Sequence, residues 1–420
     1  MFNKPIYMNK RYWVLFVMAL FSIITYLDRT SISITGSVIT QELNLSEKEF
    51  GWILGSFAFA YGLFEIPVGL WGDRKGPKSI LFRIVLSWSV FTILTGFSTT
   101  FTMLFIIRFL FGIGEAGAYP NATIVISRWF PKSETGRAQS FIWIASRIGA
   151  ALAPFLSLFI MQTYGWRYVF YAFGVLGIFW AAFWGLWFKD EPRDMPNISE
   201  KEIAHIEQGR ELKSGGDSFS IVLKILKDPN IWSLMGMYHC LLYGAYFYLS
   251  WMPKYLKNGR GIDDTQIAFL ASLPFILGTV GCFIGGFSSD YLTKKHGLKW
   301  GRRAVGMFGL VMSGICMLTA TFIPDTTTSI IVLAFGLAFK DFTLPVSWAT
   351  SSDIGGQNAG AVAGAMGMAG QLGSTIMSIA FGYILAATGS WDIPVRIIGC
   401  IVILGGLLWL RIDPTKKISI

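Results

Sequence analysis

Apolar runs of about the length that a helix needs to cross ~30 Å of hydrocarbon recur twelve times along this chain. They fall at 11–37, 50–72, 79–98, 101–127, 136–163, 166–188, 231–256, 264–290, 303–323, 327–350, 359–387 and 391–411. A membrane β-barrel would instead show alternating segments of about ten residues. The runs therefore predict an all-α membrane protein with twelve transmembrane helices in two six-helix bundles. Composition agrees: 53% of the 420 residues are hydrophobic, 14% are charged, and the mean hydropathy is +0.53, too apolar for a soluble chain of this size.

A net charge of +10 raises the question of nucleic acid, but the basic residues are dispersed over alternate loops. Lys10, Arg11, Arg74, Lys75, Lys78, Arg128, Lys132, Arg137, Lys294, Lys295, Lys299, Arg302 and Arg303 fall on one side. Lys48, Arg167, Lys254, Lys257, Arg260 and Arg396 are nearly all that fall on the other. Positive charge stays cytoplasmic, so both termini are expected inside, in a multi-pass protein of the plasma (inner) membrane. The loop around Asp353 carries no base and departs from the rule. The basic flank at the start leads into a full-length span, the pattern of a retained crossing rather than a cleaved leader.

Cys240, Cys282, Cys316 and Cys400 each lie in a different run, which suits small buried side chains and neither a disulfide framework nor a metal site. With three histidines, no convergent set of nucleophile or metal ligands is visible. No enzymatic activity and no cofactor are expected.

Three units follow: a first bundle over 1–188, a cytoplasmic central loop over 189–230, and a second bundle over 231–420. Within the loop, Ser199 to Glu202 reads as the capped start of a short surface helix. The two halves repeat a corner. Gly69, Asp73, Arg74, Gly76 and Lys78 follow the second run; Gly286, Asp290 and the bases up to Arg303 follow the eighth. Glycine allows close helix approach, and aspartate can pair with a base. Breakable polar corners suit a hinge between two rocking halves, and a six-plus-six repeat is a transporter architecture with its site at the midplane.

Ionisable residues inside a membrane are costly and mark function by default. In Arg108–Ala122, Arg108 and Glu115 share a helical face but stand about 10 Å apart along the axis, too far for an ion pair. Glu115 therefore calls for a partner from another helix, failing which desolvation favours its protonated form. It is the leading candidate for proton coupling, with Arg108 and Asp28 beside it and Asp341 in reserve; pairing that merely locks helices is the alternative. Arginine suits bidentate carboxylate binding, so Arg29 is the candidate substrate anchor. Tyr26 and Tyr61 could donate hydroxyls. In the tenth run, Pro345 is expected to loosen the helix so that Ser347 and Trp348 line a cavity, and one of Lys340 and Asp341 is expected to pair across helices.

Tyr26-Leu27-Asp28-Arg29, Gly51-Trp52 with Tyr61 and Pro67, Arg108 to Glu115, and Arg128-Trp129-Phe130-Pro131 with Glu134, Arg137 and Ala138 together resemble the anion:cation symporter family of the major facilitator superfamily. The resemblance spans essentially the whole chain. It implies proton-coupled symport of an organic anion such as a hexuronate, aldonate or aldarate, with Arg29 and Asp28 in the roles given above. It also exposes departures. Arg147 stands where such carriers tend to have glutamine, and would either receive a second acidic group or neutralise Glu115. Gln371 stands where asparagine is common and is a candidate reader of hydroxyls. Glu65 replaces a frequent glutamine; for it and His239 a helix-to-helix hydrogen bond is expected. The expected partners are a small organic anion, protons (sodium is the other candidate ion) and the lipid bilayer, with one chain as the working unit and no nucleic acid. Rival readings are an organic phosphate/phosphate exchanger and an aromatic acid permease.

Overall fold

The computed structural model describes residues 9–131, 134–207, 226–356 and 359–417, without the side chains at 66, 69, 70, 72–74, 264 and 265. Every described regular element is helical. The first group comprises α1 (Lys10–Ile34), the short α2 (Gly36–Glu42), α3 (Glu47–Lys75), α4 (Pro77–Gly96), α5 (Phe101–Glu115), α6 (Ala118–Trp129), α7 (Thr135–Tyr164) and α8 (Trp166–Trp187). After the surface helix α9 (Glu200–Ile206) come α10 (Pro229–Tyr246), α11 (Asp264–Ala320), α12 (Thr326–Gly355), α13 (Ala359–Thr388) and α14 (Asp392–Leu408).

Among the described residues, eight helical stretches are long and apolar enough to cross a membrane, and one of them, the 55-residue stretch 266–320, is long enough for two crossings. It bends at Gly297, whose φ of 81° breaks the helix, so the expected eighth and ninth spans are its two arms. The remaining crossings are α3, α10 and α14. Helix α10 continues through π turns at Phe247–Trp251 and Tyr255–Gly259. Twelve spans result, with large apolar side chains such as Phe159, Phe179, Leu186, Phe283 and Phe287 turned outward, where lipid is their solvent.

Helices α1 with α7, α3 with α5, and α4 with α8 pack within the first group; α10 with α13, and α11 with α12 and α14, pack within the second. The groups meet through α3 against α13 and α7 against α11. Glycines allow this approach: a Cβ on Gly51 would stand 2.8 Å from the Ser378 carbonyl, and one on Gly382 2.3 Å from that of Glu47.

Side-chain bonds between the groups gather from the midplane to the end away from the termini. Ser33 donates to the Ser250 carbonyl, Trp52 Nε1 to Tyr383 at 3.3 Å, and Ser272 to the Ala151 carbonyl at 2.6 Å. Lys254, expected in an outer loop, is fully buried instead and binds both oxygens of Glu47 at 2.7 and 2.6 Å. Among the described residues, no hydrogen bond or ion pair joins the groups near the termini.

The terminus-side end is held within each group. The Ser199 hydroxyl caps α9, and Glu202 accepts from the Arg11 amide at 2.9 Å. At the first corner, the side chains of Gly69, Asp73 and Arg74 lie outside the described residues. Gly76 has φ 85° and leaves room for Asp190, which accepts from the Lys78 amide at 2.8 Å. At the second corner Arg302 binds Asp290 at 3.3 Å and Asp353 at 3.0 Å. The base missing from the Asp353 loop is thus supplied by its neighbour.

Candidate functional site

The fourth span is broken next to its carboxylate. Helix α5 stops at Glu115 because Ala116 turns to ψ 142° and Gly117 takes φ 78°, ψ 1°; α6 restarts at Ala118. Only glycine adopts that conformation cheaply, and a Cβ on Gly117 would also meet Val68 Cγ1 at 2.6 Å. A Cβ on Gly112 would stand 2.5 Å from the Phe57 carbonyl oxygen, so glycine here lets α5 come against α3. The span expected over 101–127 is thus two helices joined at a left-handed turn.

The break leaves Glu115 fully buried and facing α1, where its Oε1 accepts from Arg29 Nε at 2.6 Å. Helix α1 thus supplies the partner that Arg108 is too far away to be. The Arg29 guanidinium lies 4.7 Å from the ring centre of Tyr61, 5.5 Å from those of Tyr26 and Phe57, and 5.8 Å from that of Tyr119, an aromatic cage for a cation. Its Nη2 and the Oε2 of Glu115 have no hydrogen-bond partner.

Arg108 is 2% exposed and Asp28 1% exposed. The Nε and Nη1 of Arg108 have no hydrogen-bond partner, and among the described residues Asp28 has no ion pair, its carboxyl facing the Trp88 and Thr92 side chains as donors. Buried polar atoms normally find partners. Two cations and two carboxylates with a single ion pair among them therefore hold hydrogen-bonding capacity available to a ligand, a proton or water.

Arg147 does not neutralise Glu115. Its Nη2 binds Asp341 Oδ1 at 3.0 Å across the two groups, so Asp341 is the tenth-span residue that pairs across helices. Lys340 contacts the same oxygen, while Asp341 Oδ2 is unpartnered and packs at the place a Cβ of Gly278 would occupy.

Other expected residues divide. Trp348 is 37% exposed and meets Tyr238 edge-on. Gln371 packs on Gly62, with its Oε1 buried and unpartnered. His239 hydrogen-bonds the Ala369 carbonyl at 3.1 Å, as expected. Two expectations fail: Pro345 does not interrupt α12, which runs unbroken for 30 residues, and Ser347 is fully buried, donating to the Thr343 carbonyl at 3.0 Å. A proline removes one donor, and the packing around it here keeps the helix whole.

Tyr119 was missed. It bonds Ser22 at 3.0 Å and stacks on Trp143 at 4.8 Å, one turn before Arg147. Its place two residues after Gly117 was the available signal, and reading through the break hid it.

The sequence profile of the Major Facilitator Superfamily matches residues 18–376. The probable sulfoacetate transporter SauU of Cupriavidus necator is 32% identical over 97% of this chain and 95% of its own length. The probable galactarate/D-glucarate transporter GudP of Bacillus subtilis is 32% identical over 97% and 93%, and the probable L-galactonate transporter of Escherichia coli 30% over 94% and 89%. Among solved structures, a bacterial homologue of the human lysosomal transporter Spinster, inward-facing and unoccupied, superposes with TM-score 0.77 at 18% identity and full coverage of both chains. The chain belongs to the Major Facilitator Superfamily, and is a multi-pass membrane transporter rather than an enzyme.

Proposed function

We infer that the chain is a proton-coupled symporter of a small organic anion of the sugar-acid class, working as a single chain in the inner membrane with both termini cytoplasmic. One observation carries the reading: Arg29 and Glu115, on different helices of one bundle, are joined at 2.6 Å in the protein interior. The organic acids in the names of the relatives, sulfoacetate, galactarate, glucarate and galactonate, support the substrate class.

The geometry makes Glu115 and a substrate carboxylate competitors for one guanidinium. A proton on Glu115 cancels its charge and releases Arg29 to take the acid with two parallel hydrogen bonds. Loss of the proton lets Glu115 reclaim Arg29 and expels the cargo. Binding of the anion and of the proton are then linked, as symport requires. Asp28, beside Arg108 and without an ion pair among the described residues, is the second proton acceptor. Among the described residues the bundles are bonded at the far end, by Lys254–Glu47 and Ser33–Ser250, and not at the terminus side, which supports reading this state as the one that releases cargo inward. The phosphate-exchange rival would have Arg29 and Lys340 grip one phosphate, yet Arg29 is bound to Glu115 while Lys340 lies with Arg147 on Asp341 in a separate cluster.

Uptake of labelled hexuronates, aldonates and aldarates into proteoliposomes, with an imposed proton or sodium gradient, tests the reading. Accumulation is expected with the proton gradient, and Glu115→Gln is expected to abolish it while substrate counterflow continues. Accumulation persisting in that variant would remove Glu115 as the coupling group.

A further inference from the structure

Charge is distributed unevenly through the interior. Inside the first bundle Arg29 and Arg108 stand with three carboxylates, Asp28, Glu65 and Glu115. Between α7 and α12, Arg147 and Lys340 share the single carboxylate of Asp341, a local excess of one cation. All three side chains are buried, at 11%, 4% and 0% exposure. Both cations crowd onto the same Asp341 oxygen while its other oxygen has no partner. An excess cation at such depth is costly unless an anion joins it.

The surplus lies within reach of the Arg29 site. Tyr26 and Tyr119 flank Arg29 at 5.5 and 5.8 Å and interact electrostatically with Arg147 as well. Trp143, on the helix of Arg147, stacks on Tyr119. Tyr26 and Tyr119 thus stand beside both arginines.

We propose that, for the organic-anion carrier inferred above and resting on that reading, Arg147 and Lys340 form a second anion pole that selects substrates with two acidic groups. One acid of the cargo takes Arg29; the other displaces Asp341 from Arg147. Because Arg147 belongs to one bundle and Asp341 to the other, that exchange also breaks a bond between the halves, so a doubly charged cargo loosens the midplane as it binds.

Calorimetry on the purified protein in detergent tests this with pairs matched in skeleton: galactarate against galactonate, glucarate against gluconate, and a two-carbon acid bearing sulfonate and carboxylate against glycolate. The wild type is expected to prefer the doubly acidic member. Arg147→Gln should weaken that member by roughly 100-fold and the singly acidic one by less than about threefold, and Arg147→Lys should restore most of the preference. Asp341→Asn, which removes the internal competitor, should tighten doubly acidic ligands. If Arg147→Gln weakens both members equally, or Asp341→Asn weakens the doubly acidic one, the cluster is a helix lock and the proposal is overturned. A wild type that binds acids without regard to their number of charges also overturns it, and leaves the organic-anion reading standing. Binding of no acid at all overturns both.

Discussion

The fourth and tenth spans hold the same place in their respective halves, and each carries a cation and a carboxylate into the protein interior, yet they are built differently. In the fourth, Arg108 and Glu115 are seven residues apart and the helix breaks directly after the carboxylate, at Gly117. In the tenth, Lys340 and Asp341 are adjacent in a helix that runs unbroken for 30 residues in spite of Pro345. Glu115 is held by Arg29 of its own bundle, whereas Asp341 is held by Arg147 of the other. The broken span presents its carboxylate to chemistry inside a bundle; the intact span presents its carboxylate to the joint between bundles.

The sharpest way to break this contrast is to exchange the residues that define it. Gly117→Ala forces a side chain into a left-handed conformation and against Val68, a cost of about 1–3 kcal/mol spent at the turn that aims Glu115. Uptake is expected to fall at least roughly tenfold, since about 1.4 kcal/mol corresponds to tenfold, with the melting temperature lowered. Pro345→Ala restores a helical donor in a helix already whole, and uptake should stay within about twofold. A large loss at Pro345 with none at Gly117 would mean that the tenth span, not the fourth, is the one whose backbone irregularity matters.

That the break sits at Gly117 and not at Pro345 marks where the sequence was legible. Span lengths, the two-bundle repeat, the cap at Ser199 and the isolation of Glu115 from Arg108 all follow from periodicity and spacing, which are local quantities. Pairing is not local. Nothing in the run around Arg147 says that its partner lies 194 residues away in Asp341, or that the supposed loop base Lys254 is buried against Glu47. In the glycine-rich stretch Arg108–Ala122 a left-handed turn and a packing contact demand the same residue, and only the backbone angles separate them.

If the joint between bundles is the business of the second half, breaking one of its cross-bundle bonds should move the conformational balance and leave ligand chemistry alone. Glu47→Gln removes the charge that neutralises Lys254, which is fully buried between the rings of Phe50 and Trp251 at 4.7 and 5.8 Å. Breaking a buried pair on one side generally costs about 3–5 kcal/mol, and here the sealed end can open to relieve it. In a Ser33→Cys background without the four native cysteines, labelling by an impermeant thiol reagent should quicken by at least roughly tenfold. The pH dependence of substrate binding should be unchanged. Unchanged labelling with a shifted pH dependence would assign Glu47 to the chemistry and blur the division between the halves.

The smallest effect is expected where the second half closes on itself outside the membrane. Asp413 Oδ2 binds Lys299 at 2.7 Å, the same side chain accepts from Thr415, and Asn230 exchanges two hydrogen bonds with the Asp413 backbone. The Lys299 and Thr415 hydrogen bonds hold the Asp413 carboxyl below the ordinary aspartate range, at about 2. A carboxyl depressed in the folded state stabilises above its unfolded pKa, roughly 3.9, and loses that contribution only as the pH falls through the folded value near 2. Between pH 5 and 8 the clasp is therefore constant. Asp413→Asn should lower stability by no more than about 1 kcal/mol, by the same amount at both pH values, and leave the pH profile of uptake untouched. Any pH dependence of uptake in that interval then belongs to the buried interior, and a profile that moved with Asp413→Asn would place part of the proton response at the end of the second bundle instead of at the break in the first.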